Sequence, residues 1–158
     1  MESTMKRLTV FYDVRCGLCC RFRQWLETSA LWVEVEFIGY DSPRAEREFP
    51  GLLKLGADRD CVVRADDGRW WQGSDAWLVC LWATREYRLW SHRLAAPHFR
   101  PWLETIVHAI SRNRLRISAL ASLRSEAELA EALAPLEKEC DSGSCRFPTM
   151  ATVEGGGR

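Results

Sequence analysis

Leu8 to Tyr12 is a short apolar run rich in β-formers and bounded by polar residues, which predicts a first strand. Asp13 to Arg15 interrupts it as a turn. From Cys16 to about Ser29 the period changes, and Cys19, Phe22 and Leu26 recur at helical spacing. Trp32 to Tyr40 alternates, with Val33, Val35 and Phe37 on one face and Glu34 and Glu36 on the other, so it reads as a second strand. Ser42-Pro43 is an N-cap followed by proline at the first helical position. The helix it opens carries Arg44, Glu46, Arg47 and Glu48 and either stops near Pro50-Gly51 or restarts through Leu52 to Leu55. Cys61 to Ala65 predicts a third strand, Asp66-Asp67-Gly68 a hairpin turn, and Arg69 to Gln72 the returning strand. Gly73-Ser74-Asp75-Ala76 opens another helix, with Ser74 or Asp75 as its cap.

The predicted order is β-α-β-α-β-β-α. Parallel βαβ units followed by a hairpin and a helix give a mixed sheet with helices on its faces. This is the α/β order of the thioredoxin-like fold. From about Pro97 the pattern is helical only, with Phe99, Leu103, Ile106 and Ile110 as an apolar stripe. Ser125 and Glu128 form a capping-box pair before Leu129, Leu133 and Leu136, and Pro135 kinks or ends that helix. After Cys140 the chain turns Gly/Ser-rich. We therefore expect a thioredoxin-like domain over 1–92, a C-terminal helical extension packed on it over 93–139, and a flexible tail over 140–158.

At 158 residues and 47% hydrophobic content, a sizeable core needs no disulfide staples. Lys+Arg and Asp+Glu both number 22, so net charge makes no electrostatic case for a nucleic-acid partner. The seven cysteines are an odd number, no signal-peptide pattern opens the chain, and no stretch approaches a membrane span. The expectation is a cytoplasmic protein, where a C-x-x-C is more often redox-active or metal-binding than structural.

Chemistry concentrates in Cys16-Gly17-Leu18-Cys19, placed between a strand and a helix. A thiol at a helix N-terminus is favoured as the thiolate that thiol–disulfide exchange needs. Cys16 is the expected attacking thiolate, with Arg15 adding positive potential, and Cys19, one turn on, resolves the mixed disulfide. The plain alternative is two small core residues. Asp13 either accepts the Cys19 proton during resolution or caps the turn through an Asx hydrogen bond.

Asp13-x-x-Cys16-x-x-Cys19, directly after a strand ending Phe-Tyr, resembles the signature of the DCC family of thiol-disulfide oxidoreductases. Gly73-Ser74-Asp75-Ala76 after the Asp67-Gly68 hairpin, and Ser111-Arg112-Asn113-Arg114, also look like that family. The resemblance covers roughly residues 7 to 117. It implies a thioredoxin-like fold and dithiol–disulfide activity, with Cys16, Cys19 and Asp13 at the site. Val14 stands where the family has a glycine, Cys20 adds a third thiol, and no proline lies near Asp60, where thioredoxins carry a cis-proline.

The other candidates have two readings each. Cys20 either packs in the core or pairs in a regulatory disulfide, and Cys61 and Cys80 read as core residues. Cys140 and Cys145 are exposed uncommitted thiols, a small disulfide of their own, an electron-feeding tail, or half of a Cys₄ zinc site with Cys16 and Cys19. His92, His98 and His108 cluster with no cysteine by spacing and read as surface or capping residues. Arg112, Arg114 and Arg116 either hold an anion such as a glutathione-like carboxylate or form a solvated helix end. Trp70, Trp71 and Trp77 are core residues or the border of a substrate groove.

The expected activity is exchange of the Cys16–Cys19 dithiol/disulfide with a protein disulfide or low-molecular-weight thiol, without cofactor, recharged by a cellular thiol reductant. The competing readings are a non-enzymatic binding module whose C-x-x-C is structural or zinc-binding, and a peroxide-type thiol enzyme.

Overall fold

Strand β1 (Arg7–Tyr12) is buried from Leu8 to Phe11 because it is covered on both faces. The computed structural model describes residues 5–132. After β1 come α1 (Gly17–Thr28), β2 (Glu34–Gly39), α2 (Pro43–Glu48), a 3-10 turn (Leu52–Leu55), β3 (Val62–Ala65), β4 (Trp70–Gln72), α3 (Ser74–Ala83), α4 (Arg88–Leu94) and α5 (Arg100–Leu120). Residues 126–132 are again helical. The sheet order is β2-β1-β3-β4. β2 runs parallel to β1, whereas β1–β3 and β3–β4 are antiparallel. The chain has a mixed α/β, thioredoxin-like fold, as the element order predicts.

Leu8 and Val10 pack with Leu26, Val63, Ala76, Cys80 and Ala83 on the face covered by α1 and α3. Phe11 points the other way, into a second cluster with Ile38, Ala45, Leu52 and Val62. The pleat makes this division, since successive residues of a strand face opposite sides. Ser42 caps α2 through Ala45 N–H at 3.1 Å, with Pro43 at the first helical position. The Ser125–Glu128 capping box is reciprocal, at 2.9 and 3.2 Å.

Two expectations need correction. The cap of α3 is neither Ser74 nor Asp75 but Gly73, at φ +58° with no side-chain bond. Glycine takes that left-handed conformation without the Cβ clash, and Asp75 instead pairs with Arg100 at 2.7 Å. The apolar stripe of α5 is also displaced. Phe99 and Ile106 are exposed, and the inward line runs through Leu103, Val107, Ile110, Ser111, Arg114, Ile117 and Ser118. Arg114 and Ser118 in that line serve the turn after β1 and the start of α1, which hid the line from a hydrophobicity pattern. The tail expected over 140–158, with Cys140 and Cys145, lies outside the described residues, as do Leu133, Pro135 and Leu136.

Candidate active site

β1 ends at Tyr12, and the chain must reverse before α1 begins. Asp13 makes this turn: its Oδ1 accepts Arg15 N–H at 2.9 Å and its carbonyl accepts Cys16 N–H at 3.1 Å. Cys16 is then the N-cap of α1, with extended backbone, and its sulfur accepts Cys19 N–H at 3.2 Å. Sulfur thus takes the place of the serine or aspartate oxygen usual at an N-cap, where the helix end favours negative charge. The Cys19 thiol donates to the same sulfur at 2.6 Å.

These contacts set the ionisation of the pair. The Cys16 thiol is brought down from its ordinary 9.0 to about 6, chiefly by the Cys19 thiol donating to it. Burial opposes the shift, while Cys19 N–H, the Ser118 hydroxyl and the Arg114 guanidinium add to it. Cys19 is pushed up, because its proton is held on the Cys16 sulfur and because it is buried beside that charge. One proton is shared between two sulfurs, with the negative charge kept at the helix N-terminus.

α5 closes over the turn from above. Arg114 donates from Nη2 to Asp13 Oδ2 at 2.9 Å and to the Asp58 carbonyl at 2.6 Å, and from Nη1 to the Arg59 carbonyl at 3.0 Å. Ser118 Oγ accepts Leu18 N–H at 2.9 Å, another orphan donor of the first turn, and lies 3.9 Å from the Cys16 sulfur. Gly17 approaches the Leu123 backbone so closely that a Cβ there would stand 2.3 Å from its carbonyl oxygen. Arg23 and Tyr12 both bond Glu126, which ties the segment after α5 back to β1 and α1.

The two sulfurs differ in access. Cys16 is 0% exposed beneath this cover. Cys19 is half-buried and opens on a cavity of about 50 Å³, together with Asp13, Phe22, Asp60, Cys61, Trp77 and Arg114.

The family model of DCC1-like thiol-disulfide oxidoreductases matches residues 10–120. The chain belongs to that family. No curated protein and no solved structure gives a significant match. In this DCC1-like chain the matched span includes Asp13, Cys16, Cys19, Arg114 and Ser118, while Leu123 and Glu126 of the cover lie beyond it.

The turn brings the three sequence candidates together, and the Asp13 carboxylate makes the Asx turn with no hydrogen bond to either cysteine among the described residues. Arg15 is not the cation of the site. Its Nη2 turns outward to Tyr40 and Asp41 while its Nε stays 3.7 Å from Asp13, and it is the Arg114 guanidinium that acts on the Cys16 thiol. Sequence reasoning placed Arg114 in a family-like motif and in a basic cluster read as anion-holding or as a solvated helix end, not beside Asp13, and passed over Ser118. The available signal was the four-residue spacing of the two on one face of α5. Cys20 is half-buried, its thiol directed at the Val14 carbonyl at 3.6 Å. Cys80 is in the core and Cys61 is half-buried, lining the Cys19 cavity. Of the tryptophans, Trp77 borders that cavity, while Trp70 stacks on Phe11.

Asp60 and Cys61 hold the position before β3, and no peptide bond among the described residues is cis. No group of three or more His, Cys, Asp or Glu among the described residues could hold a metal. No described helix is long and apolar enough to cross a membrane.

Proposed function

We propose that the Cys16–Cys19 pair exchanges dithiol for disulfide with a protein or small-thiol substrate. The Cys16 thiolate attacks a substrate disulfide, forming a mixed disulfide and releasing one substrate thiolate, which takes up a proton. Cys19 gives up its proton and attacks the Cys16 sulfur, releasing the second substrate thiol. The Cys16–Cys19 disulfide that remains is reduced by an external thiol. Asp13 is a positioning residue in this scheme, holding the turn and Arg114. The observation that carries the reading is the convergence of Cys19 N–H and Cys19 S–H on one sulfur at a helix N-terminus. It stabilises one thiolate and leaves its partner as a protonated thiol, the division of labour that exchange requires.

One observation favours a second reading of the order of events. Cys19, not Cys16, faces the cavity. An incoming thiolate would then attack the disulfide at Cys19, and Cys16 would leave as the more stable thiolate, since low-pKa thiols leave faster.

A redox titration with mass-spectrometric mapping of the Cys16–Cys19 bond tests the shared core of both readings. A reversible couple between about −120 and −270 mV is expected, the span of known oxidoreductases. Failure to form the bond overturns the proposal, as does stoichiometric zinc that is lost on Cys145→Ser. Trapping decides the order: a mixed disulfide accumulating on Cys16 in Cys19→Ser supports the first reading, and one accumulating on Cys19 in Cys16→Ser supports the second.

A further inference from the structure

Next to the Cys19 cavity lies a larger one of about 660 Å³. α5 lines it with His108, Arg112 and Arg116, the segment before β3 with Lys54 and Arg59, and β4 with Gln72. The two cavities share Arg59, Asp60, Ser111 and Arg114 as a common wall. That wall is held by Arg114, whose bonds to the carbonyls of Asp58 and Arg59 fasten the segment to α5. The guanidinium that positions Asp13 therefore also sets the geometry between the two cavities.

The charge in the larger cavity is unbalanced. Lys54, Arg59, Arg112, Arg114 and Arg116 stand against Asp58 and Asp60. Arg114 is spoken for by Asp13, and Arg59 leans on Asp58 at 3.5 Å. Lys54, Arg112 and Arg116 make no ion pair among the described residues, and only Asp60 remains to offset them. A solvated basic helix end would need no concavity. Here the charges surround a concavity within the range of small-molecule sites, roughly 300–1,000 Å³.

We propose that this cavity binds the anionic part of a low-molecular-weight thiol or its disulfide, a compound bearing carboxylates at one end and sulfur at the other. Its carboxylates meet Lys54, Arg112 and Arg116, while its sulfur reaches across the Asp60–Ser111 wall toward Cys19. The assignment rests on the exchange reading above and narrows its substrate to a small anion rather than a folded protein. Arginine suits the role because its fork takes carboxylates in two parallel hydrogen bonds.

The test uses the full chain and S-methylglutathione, a thioether with two carboxylates that cannot exchange, titrated calorimetrically. Binding is expected, weakening about tenfold or more in R112E/R116E, with R112Q/R116Q intermediate, and weakening with added salt. In parallel, the ratio of kcat/KM for oxidised glutathione over the neutral bis(2-hydroxyethyl) disulfide should fall by a similar factor in the same variants. Circular dichroism reports whether each variant is folded. Absent binding, binding indifferent to these substitutions, an unmoved ratio, or capture of an acidic peptide in place of the thioether would overturn the proposal. Because the probe cannot exchange, binding by a protein that shows no Cys16–Cys19 couple would support the subsite while removing the redox reading.

Discussion

Arg114 and Asp13 lie 101 residues apart in sequence and meet at 2.9 Å, both largely buried. The pair joins α5 to the turn that presents the C-x-x-C. Neither group satisfies the other alone: the second Asp13 oxygen holds Arg15 N–H, and the rest of the guanidinium holds two carbonyls. A buried ion pair is tolerable only when its remaining hydrogen-bonding capacity is used in this way.

Arg114→Ala leaves the buried Asp13 carboxylate with only the exposed Arg15, whose Nε stands 3.7 Å away, and frees the 58–59 backbone. A loss of about 3 kcal/mol or more in urea denaturation is expected. Arg114→Lys should recover part of it, because one ammonium cannot serve three acceptors held by a planar fork. A change within about 0.5 kcal/mol, the range of ordinary surface substitutions, would mean that the pair does not anchor the turn.

The low Cys16 pKa predicts a particular pH dependence for the reduced protein. Below about 6 both thiols are protonated in folded and unfolded chains, and the pair adds nothing. Between about 6 and 9.0 the folded protein has released the Cys16 proton that the unfolded chain still holds, so stability rises with pH. Above 9.0 the unfolded chain sheds both protons while folded Cys19 keeps its own, and the gain declines. Denaturation of reduced wild type against Cys16→Ser/Cys19→Ser, from pH 5 to 10, reads the difference. A flat difference would contradict the assignment.

Ser118→Ala removes both the acceptor of Leu18 N–H and a hydroxyl beside the thiolate. Stability should fall by about 1–3 kcal/mol from the unsatisfied donor. The Cys16 titration, followed by ultraviolet thiolate absorbance, should move up from about 6. Cys19→Ala should move it further, since the Cys19 thiol is the largest cause of the lowering. Should Ser118→Ala move Cys16 more than Cys19→Ala does, the ranking of these contacts is wrong.

Gly17→Ala puts a methyl 2.3 Å from the Leu123 carbonyl oxygen, a contact relieved only by moving backbone. A cost of about 1–3 kcal/mol is expected, the usual range for overpacking. The segment that moves is the cover over Cys16, so alkylation of Cys16 should accelerate relative to wild type. Unchanged alkylation with unchanged stability would show that the close approach does not hold the cover in place.

Much of this was legible in the residue order because it depends on neighbours in the chain. The alternation in 32–40, the Ser42-Pro43 start and the Asp67-Gly68 hairpin are local signals, and the elements form where they predict. The Cys16 cap and the Asp13 turn are equally local, each closing over two or three residues. Gly73 failed as a local signal because Ser74 and Asp75, both good capping residues, follow it directly.

The sequence alone determined the thioredoxin-like order of elements and set two thiols one turn apart at a helix start, since periodicity and turn chemistry act over a few residues. Tertiary structure decided which cation faces the thiolate, which sulfur meets solvent and which side of α5 turns inward. Arg15 and Arg114 are equivalent as letters, and only packing over 101 residues leaves one exposed, bonded to Tyr40 and Asp41 and 3.7 Å from Asp13, and buries the other against Asp13 at 2.9 Å. A polar residue on a helix reads as solvent-facing until the surface laid against it supplies partners, and for Arg114 and Ser118 those partners come from the distant turn and the start of α1.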